Sequence, residues 1–156
     1  MKGDNEKKKD KVYYIDTNIF LRVIIKDENE KQFEESKKLL ELIRSGYIRG
    51  RISSLILAEV NWVLASFYNL SKEEILPYLK GILNLKNLSF EEKINPSNAL
   101  ELWEEYPVKF VDCLIVSNRG FREGMIIISY DRDFDKIKGI IRKEPKEVIQ
   151  EVKEKS

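Results

Sequence analysis

A chain of 156 residues with 42% hydrophobic content suits one globular domain with one sizeable core. A net charge of +1 excludes a strongly basic surface visible in the total, and a 35% charged fraction rich in Lys and Glu is the balance of a thermophile's protein. The single cysteine, Cys113, excludes a disulfide framework, and the absence of histidine excludes Ser-His-Asp triads, Cys-His pairs and histidine metal ligands. A hydrolase built from this chain would work with carboxylates, Lys, Tyr, Ser and a hard metal ion.

Residues 1–11, "MKGDNEKKKDK", read as a charged flexible tail without the apolar core of a secretion signal. No apolar run approaches the roughly 20 residues of a membrane helix, so a soluble cytoplasmic protein is expected. "VYYID" (12–16) predicts the first strand, and an apolar helical segment follows over Ile19–Ile25. Asp27 and Glu30 resemble a capping box for a helix running to about Ser45, where Gly46 can end it. "RGRISS" (49–54) is a short strand or a helix entry, and Leu55–Tyr68 is helical. Ser71 and Glu74 form a second capping box, ahead of Ile75, Leu76, Leu79, Ile82 and Leu83 on one helical face. "KNLSF" (86–90) is a short strand. Asn95-Pro96 opens a helix that Pro107 stops, and another helix spans about Phe110–Arg122, closed by Gly124. "MIIIS" (125–129) is a continuous apolar strand of the buried parallel type, "GIIRKE" (139–144) a weaker last strand, and 145–156 a frayed helix or tail. Strands alternating with helices predict an α/β fold over 12–144 with a short, mainly parallel sheet.

Four acids stand in unusual company. Asp16 ends the first strand, where parallel sheets place their ligands, although Asp there also suits a helix N-cap. Glu59 shares a helical face with Leu55, Ile56, Trp62 and Val63, so it is either paired with a cation such as Arg51 or faces a cleft. Asp112 lies in the first turn of an apolar helix, which the helix dipole alone would favour. Asp131 follows the buried strand and leads into Asp133 and Asp135, which also read as a polar turn. If the two apolar strands are adjacent, all four acids converge at one edge of the sheet. Clustered carboxylates repel and need a cation, and without His or thiolate clusters Mg²⁺ or Mn²⁺ fits best. Such a site suits phosphoryl chemistry.

At these residues the chain resembles the PIN-domain ribonucleases and, among them, the VapC toxins of prokaryotic toxin–antitoxin pairs. "YIDTN", "LAEV", "VDCLIVSNRGFREG" and "IIISYDRDFDKI" resemble the family's four acid-bearing segments, in order, over about Val12–Arg142. The resemblance implies a PIN-like α/β/α sandwich and a Mg²⁺- or Mn²⁺-dependent endoribonuclease cutting single-stranded or structured RNA. It implies catalytic and metal-binding roles for Asp16, Glu59, Asp112 and Asp131, a fifth place for Asp133, and hydrogen-bonding support from Asn18 and Ser129. It also implies a homodimer and a small antitoxin that blocks the site. Cys113 stands where alanine is common in the family, and the N-terminal extension is longer than a minimal member needs.

RNA contact would come from local charge. Arg119, seven residues after Asp112, is expected on nearly the same helical face, with Arg22, Lys26, Arg122 and Arg132 around the site; each alone also reads as ordinary solvated surface. Two other classes remain open: a PIN-like RNA-processing or RNA/protein-binding module, and an aspartyl-phosphate phosphatase. The second is disfavoured by Asn18, where that chemistry wants an acid.

Overall fold

A computed structural model describes residues 11–156, so most of the expected N-terminal tail lies outside the described residues. Five strands, β1 (Val12–Ile15), β2 (Arg49–Ile52), β3 (Leu88–Phe90), β4 (Ile126–Ile128) and β5 (Ile141–Lys143), pair in the order β3-β2-β1-β4-β5. Every pairing is parallel, so the sheet is wholly rather than mainly parallel. Tyr13, Tyr14 and Ile15 of β1 and all three isoleucines of β4 are buried. Helices cover both faces of the sheet, which is why these strands carry apolar residues on both sides.

The helices are α1 (Thr17–Ile24), α2 (Glu30–Arg44), α3 (Ser54–Ser66), α4 (Lys72–Leu83), α5 (Pro96–Glu105), α6 (Phe110–Val116) and α7 (Pro145–Lys155). The chain steps outward from β1 to β3 and then returns to place β4 on the other side of β1. Right-handed crossovers put the helices of the two legs on opposite faces, α1–α4 on one and α5 with α6 on the other. The α7 helix packs on α2 through a fully buried Val148 and completes the first layer. The result is the expected α/β/α sandwich, with the direction of the winding changing between β1 and β4.

Several local expectations change. Asn29, not Asp27, caps α2, its side chain accepting from the Gln32 N–H at 2.9 Å, while Asp27 lies in a separate 3-10 turn over Lys26–Glu28. The Ser71–Glu74 capping box forms as expected, but Leu76 and Leu83 of α4 point outward, leaving Ile75 and Ile82 to make the buried stripe. The helix expected over Phe110–Arg122 ends at Val116. The Ser117 hydroxyl turns back onto the Leu114 carbonyl at 2.6 Å, and a 3-10 turn over Arg119–Glu123 follows. Gly124, at φ +99°, takes the left-handed conformation that closes this turn before β4.

Gly50 sits where β2 passes between its neighbours. A methyl group there would lie 2.9 Å from Leu88 Cδ1 and 3.0 Å from Ile43 Cδ1. Gly50→Ala is expected to destabilise the fold by about 1–3 kcal/mol, read as a lower denaturation midpoint in urea. An unchanged midpoint would mean that both side chains turn aside freely.

Candidate active site

The register decides the site. Ile15 lies beside Ile128, and the Asp16 N–H donates to the Ile128 carbonyl at 3.0 Å, so β1 and β4 deliver Asp16 and Ser129 side by side at their carboxyl ends. This is the position in an open parallel sheet where the strand order reverses and a crevice opens. Asp16 and Ser129 are both buried. The Ser129 hydroxyl donates to Asp16 Oδ2 at 2.5 Å, and Asn18 Nδ2 donates to the same oxygen at 3.2 Å. Asn18 also reaches Ser129 Oγ at 3.0 Å and accepts the Tyr130 N–H at 3.3 Å. The bracing expected of Asn18 and Ser129 is therefore present as hydrogen bonds. Asp16 Oδ1 accepts the Thr17 N–H at 2.8 Å and caps α1. With two lone pairs on each carboxylate oxygen, Oδ1 keeps acceptor capacity beyond this bond.

Glu59 arrives from α3. Its Oε1 accepts from the Thr17 hydroxyl at 3.0 Å. Arg51 is not its partner, since that guanidinium pairs with Glu91 at 3.3 Å. Asp112 comes from the first turn of α6 and is only 4% exposed. Its Oδ2 is buried and accepts no hydrogen bond among the described residues. Asp131 follows β4 by three residues and opens a 3-10 turn over Arg132–Lys136. Its backbone N–H donates to Ser129 Oγ at 2.9 Å, and its Oδ1 accepts the Asp133 N–H at 2.9 Å. Asp112, Asp131 and Asp133 each bring a carboxylate oxygen into one group spanning no more than 4.8 Å. Asp135 points elsewhere, held by two 3.0 Å bonds from Arg142.

Burial, and then the neighbouring acids, raise the proton affinities. Asp112 is pushed up to about 7, first by desolvation and then by the charge of Asp16. Asp16 is raised by burial against the hydrogen bonds from Ser129 and Thr17, and Glu59 by burial and Asp16. Cys113, behind Asp112, is fully buried, and desolvation raises its thiol, which makes it a packing residue.

Sequence reasoning missed two residues here. Thr17 ties Glu59 to the Asp16 strand end. Lys109, the N-cap residue of α6, brings its Nζ to 3.7 Å from Asp131 Oδ2. The spacing of Lys109 three residues before Asp112, one helical turn, was the available signal.

The expected ring of cations is not assembled. Arg22 is engaged by Gln32 at 2.7 Å and Glu28 at 3.7 Å, and Lys26 is exposed in the turn after α1. Because α6 ends at Val116, its heptad spacing does not carry Arg119 onto the Asp112 face. Arg119 and Arg122 instead line a hollow with Asn95, Asn98 and Ser117, beyond the far end of α6. Only Arg132, exposed between Asp131 and Asp133, is held at the acids by the chain itself.

The PIN domain family model matches residues 13–140. The chain belongs to the PIN-domain family. No curated protein sequence matches it. Among solved structures, the PIN fold here is similar to a chain of VapBC2 from Rickettsia felis bound to a DNA fragment from their promoter. The identity is 22% and the TM-score 0.63, with 85% of this chain and 98% of that one covered. PAE2754 from Pyrobaculum aerophilum matches at 15% identity and TM-score 0.62, covering 92% and 96%. A toxin–antitoxin complex from Klebsiella pneumoniae matches at 22% and 0.56, covering 85% and 97%. These likenesses are in fold, and the acids sit where the fold reverses its winding. The donor set suits a hard divalent cation: oxygen ligands throughout, and a buried carboxylate oxygen of Asp112 with no hydrogen-bond partner among the described residues.

The raised proton affinity of Asp112 has a sign that can be tested. Between its ordinary value of 3.8 and about 7, the folded protein holds a proton that the unfolded chain has lost. The metal-free fold therefore loses stability as pH rises through that window and levels off above it. Asp112→Asn should melt about 2–4 °C higher than wild type at pH 8 in EDTA, with the gap closing toward pH 4, measured by differential scanning calorimetry. A gap of equal size at both pH values would contradict this.

Proposed function

We propose that this PIN-domain protein is a divalent-metal-dependent endoribonuclease and the toxin of a VapBC-type pair. The observation that supports the reading is the grouping of Asp112, Asp131 and Asp133 within 4.8 Å, electrostatically coupled to Asp16 and Glu59, with Asp112 Oδ2 buried and without a hydrogen-bond partner among the described residues. Asp112, Asp131 and Asp133 would hold Mg²⁺ or Mn²⁺, joined by Asp16 and by Glu59. Bound there, the ion supplies a Lewis acid for a phosphate oxygen and lowers the pKa of a coordinated water. Ser129, Asn18 and Thr17 orient Asp16 and Glu59 and favour their ionised forms against the burial that raises their proton affinity.

The toxin assignment draws support from fold similarity to chains of VapBC and toxin–antitoxin complexes. It brings with it a small antitoxin as partner, a homodimer and a cytoplasmic setting. Among the described residues no helix is long and apolar enough to cross a membrane.

Purified protein freed of any partner is expected to cut total RNA with Mg²⁺ or Mn²⁺. EDTA should abolish cleavage, and Asp16→Asn should reduce it at least about 100-fold, since it neutralises a ligand of the site. RNA binding of equal strength with and without metal, and no cleavage, would favour a binding module instead. Ser129→Ala removes the 2.5 Å donor to Asp16 without touching a carboxylate. It should weaken Mn²⁺ binding by about 10–100-fold in a calorimetric titration, and an unchanged affinity would remove the bracing role.

A further inference from the structure

Lys109, the N-cap residue of the helix that carries Asp112, brings its ammonium group to 3.7 Å from Asp131 Oδ2 and bears on four of the five acids. Its proton affinity is lowered by partial desolvation but raised on balance by Asp112, Asp131, Glu59 and Asp16 together. Among the described residues, Lys109 is the cation whose charge acts on Asp16, Glu59 and Asp112. Asp133, by contrast, has a partner of its own in Lys136, at 2.9 Å.

Three features show how the ammonium group is held. Its nearest carboxylate oxygen, Asp131 Oδ2, lies at 3.7 Å, beyond hydrogen-bond range, so Coulomb attraction holds the contact and no directional bond locks it. The Lys109 side chain is 67% exposed, against 26% for Asp131, so water is available to an ammonium that leaves. The carboxylates do not need Lys109 to stay in place. Asp16 is fixed by Thr17, Asn18 and Ser129, Glu59 by Thr17, and Asp131 by the backbone bonds that bracket it.

We propose that Lys109 is a tethered counter-ion of the carboxylate cluster, and that a divalent cation binds by displacing its ammonium from the mouth of the crevice. The inference rests on the metal-dependent reading above. Lys109 is then a positioning residue that sets the metal affinity. In metal-free protein it offsets repulsion among the acids; in metal-bound protein it is released to solvent.

The test uses metal-stripped full-length protein, Mn²⁺ as the probe, and the variants Lys109→Gln and Lys109→Arg. By isothermal calorimetry Lys109→Gln should bind Mn²⁺ about tenfold tighter than wild type, because the competing charge a few ångströms away is gone. Lys109→Arg should stay close to wild type. In EDTA Lys109→Gln should melt below wild type, and in saturating Mn²⁺ the two should coincide. A lysine with only a structural role would lower both melting temperatures alike and leave Mn²⁺ affinity unchanged, and that result overturns the proposal. Wild-type protein that binds no Mn²⁺ would overturn the metal-dependent reading and this inference with it. Binding by wild type with no change in Lys109→Gln would overturn this inference alone.

Discussion

Like charges resist being gathered, and everything at the carboxyl edge of this sheet is organised around that resistance. Asp16, Glu59 and Asp112 are all drawn out of water and all raised in proton affinity, with burial as the leading cause and their mutual charge next. Left to solvent and flexible chain, such groups would separate. The fold keeps them together by covalent and hydrogen-bonded means. Parallel pairing of β1 with β4 fixes two strand ends side by side, and reversal of the winding at that point leaves a gap above them into which α3 and α6 each insert one acid. Stability is thus lost locally to preserve an arrangement that the hydrophobic core does not require.

The hydrogen bonds around Asp16 show how that loss is contained. Donors from Thr17, Asn18 and Ser129 stabilise its ionised form, while nothing comparable serves Asp112, whose Oδ2 is buried without a hydrogen-bond partner among the described residues. Two acids a few residues from the same sheet edge therefore differ sharply. Burial raises the proton affinity of both, but hydrogen-bond donors oppose that rise only at Asp16, while Asp112 is pushed up to about 7 in the absence of a divalent cation. The cation-binding tendency of the crevice is concentrated in Asp112 and its neighbours Asp131 and Asp133, while Asp16 and Glu59 define its wall.

The strands β1 and β4 were legible as continuous apolar runs and the α4 cap by its spacing, whereas β2 and β3, with few apolar residues, read only as possible strands, and the α/β/α layering came from the family resemblance. What was not legible depended on where a helix stops or on a single side-chain bond. The Asn29 cap won over Asp27 because a three-residue 3-10 turn, Lys26–Glu28, takes up Asp27 and moves the start of α2 two residues on. The end of α6 at Val116 turned on the Ser117 hydroxyl folding back onto Leu114, and with it went the expected position of Arg119. Thr17 carried no signal of its own, and Lys109 only its spacing from Asp112. Their roles exist only once Glu59 and Asp131 are brought to them from distant parts of the chain.

The distribution of cations bears on how an RNA substrate would be received. Arg22, Arg51 and Arg142 are committed to Glu28, to Glu91 and to Asp135 with Glu144. Arg119 and Arg122 lie beyond the far end of α6, which leaves Lys109, Arg132 and Lys136 beside five acids. In the metal-free state that crevice presents negative potential to a phosphodiester, and the near-zero net charge of the chain supplies no wider attraction to overcome it. A divalent ion reverses the local sign and at the same time frees the Lys109 ammonium at the rim. Under the proposed function, metal binding therefore does more than prepare the chemistry: it converts a surface that repels the substrate's backbone into one that accepts it, which couples RNA affinity at the crevice to metal occupancy.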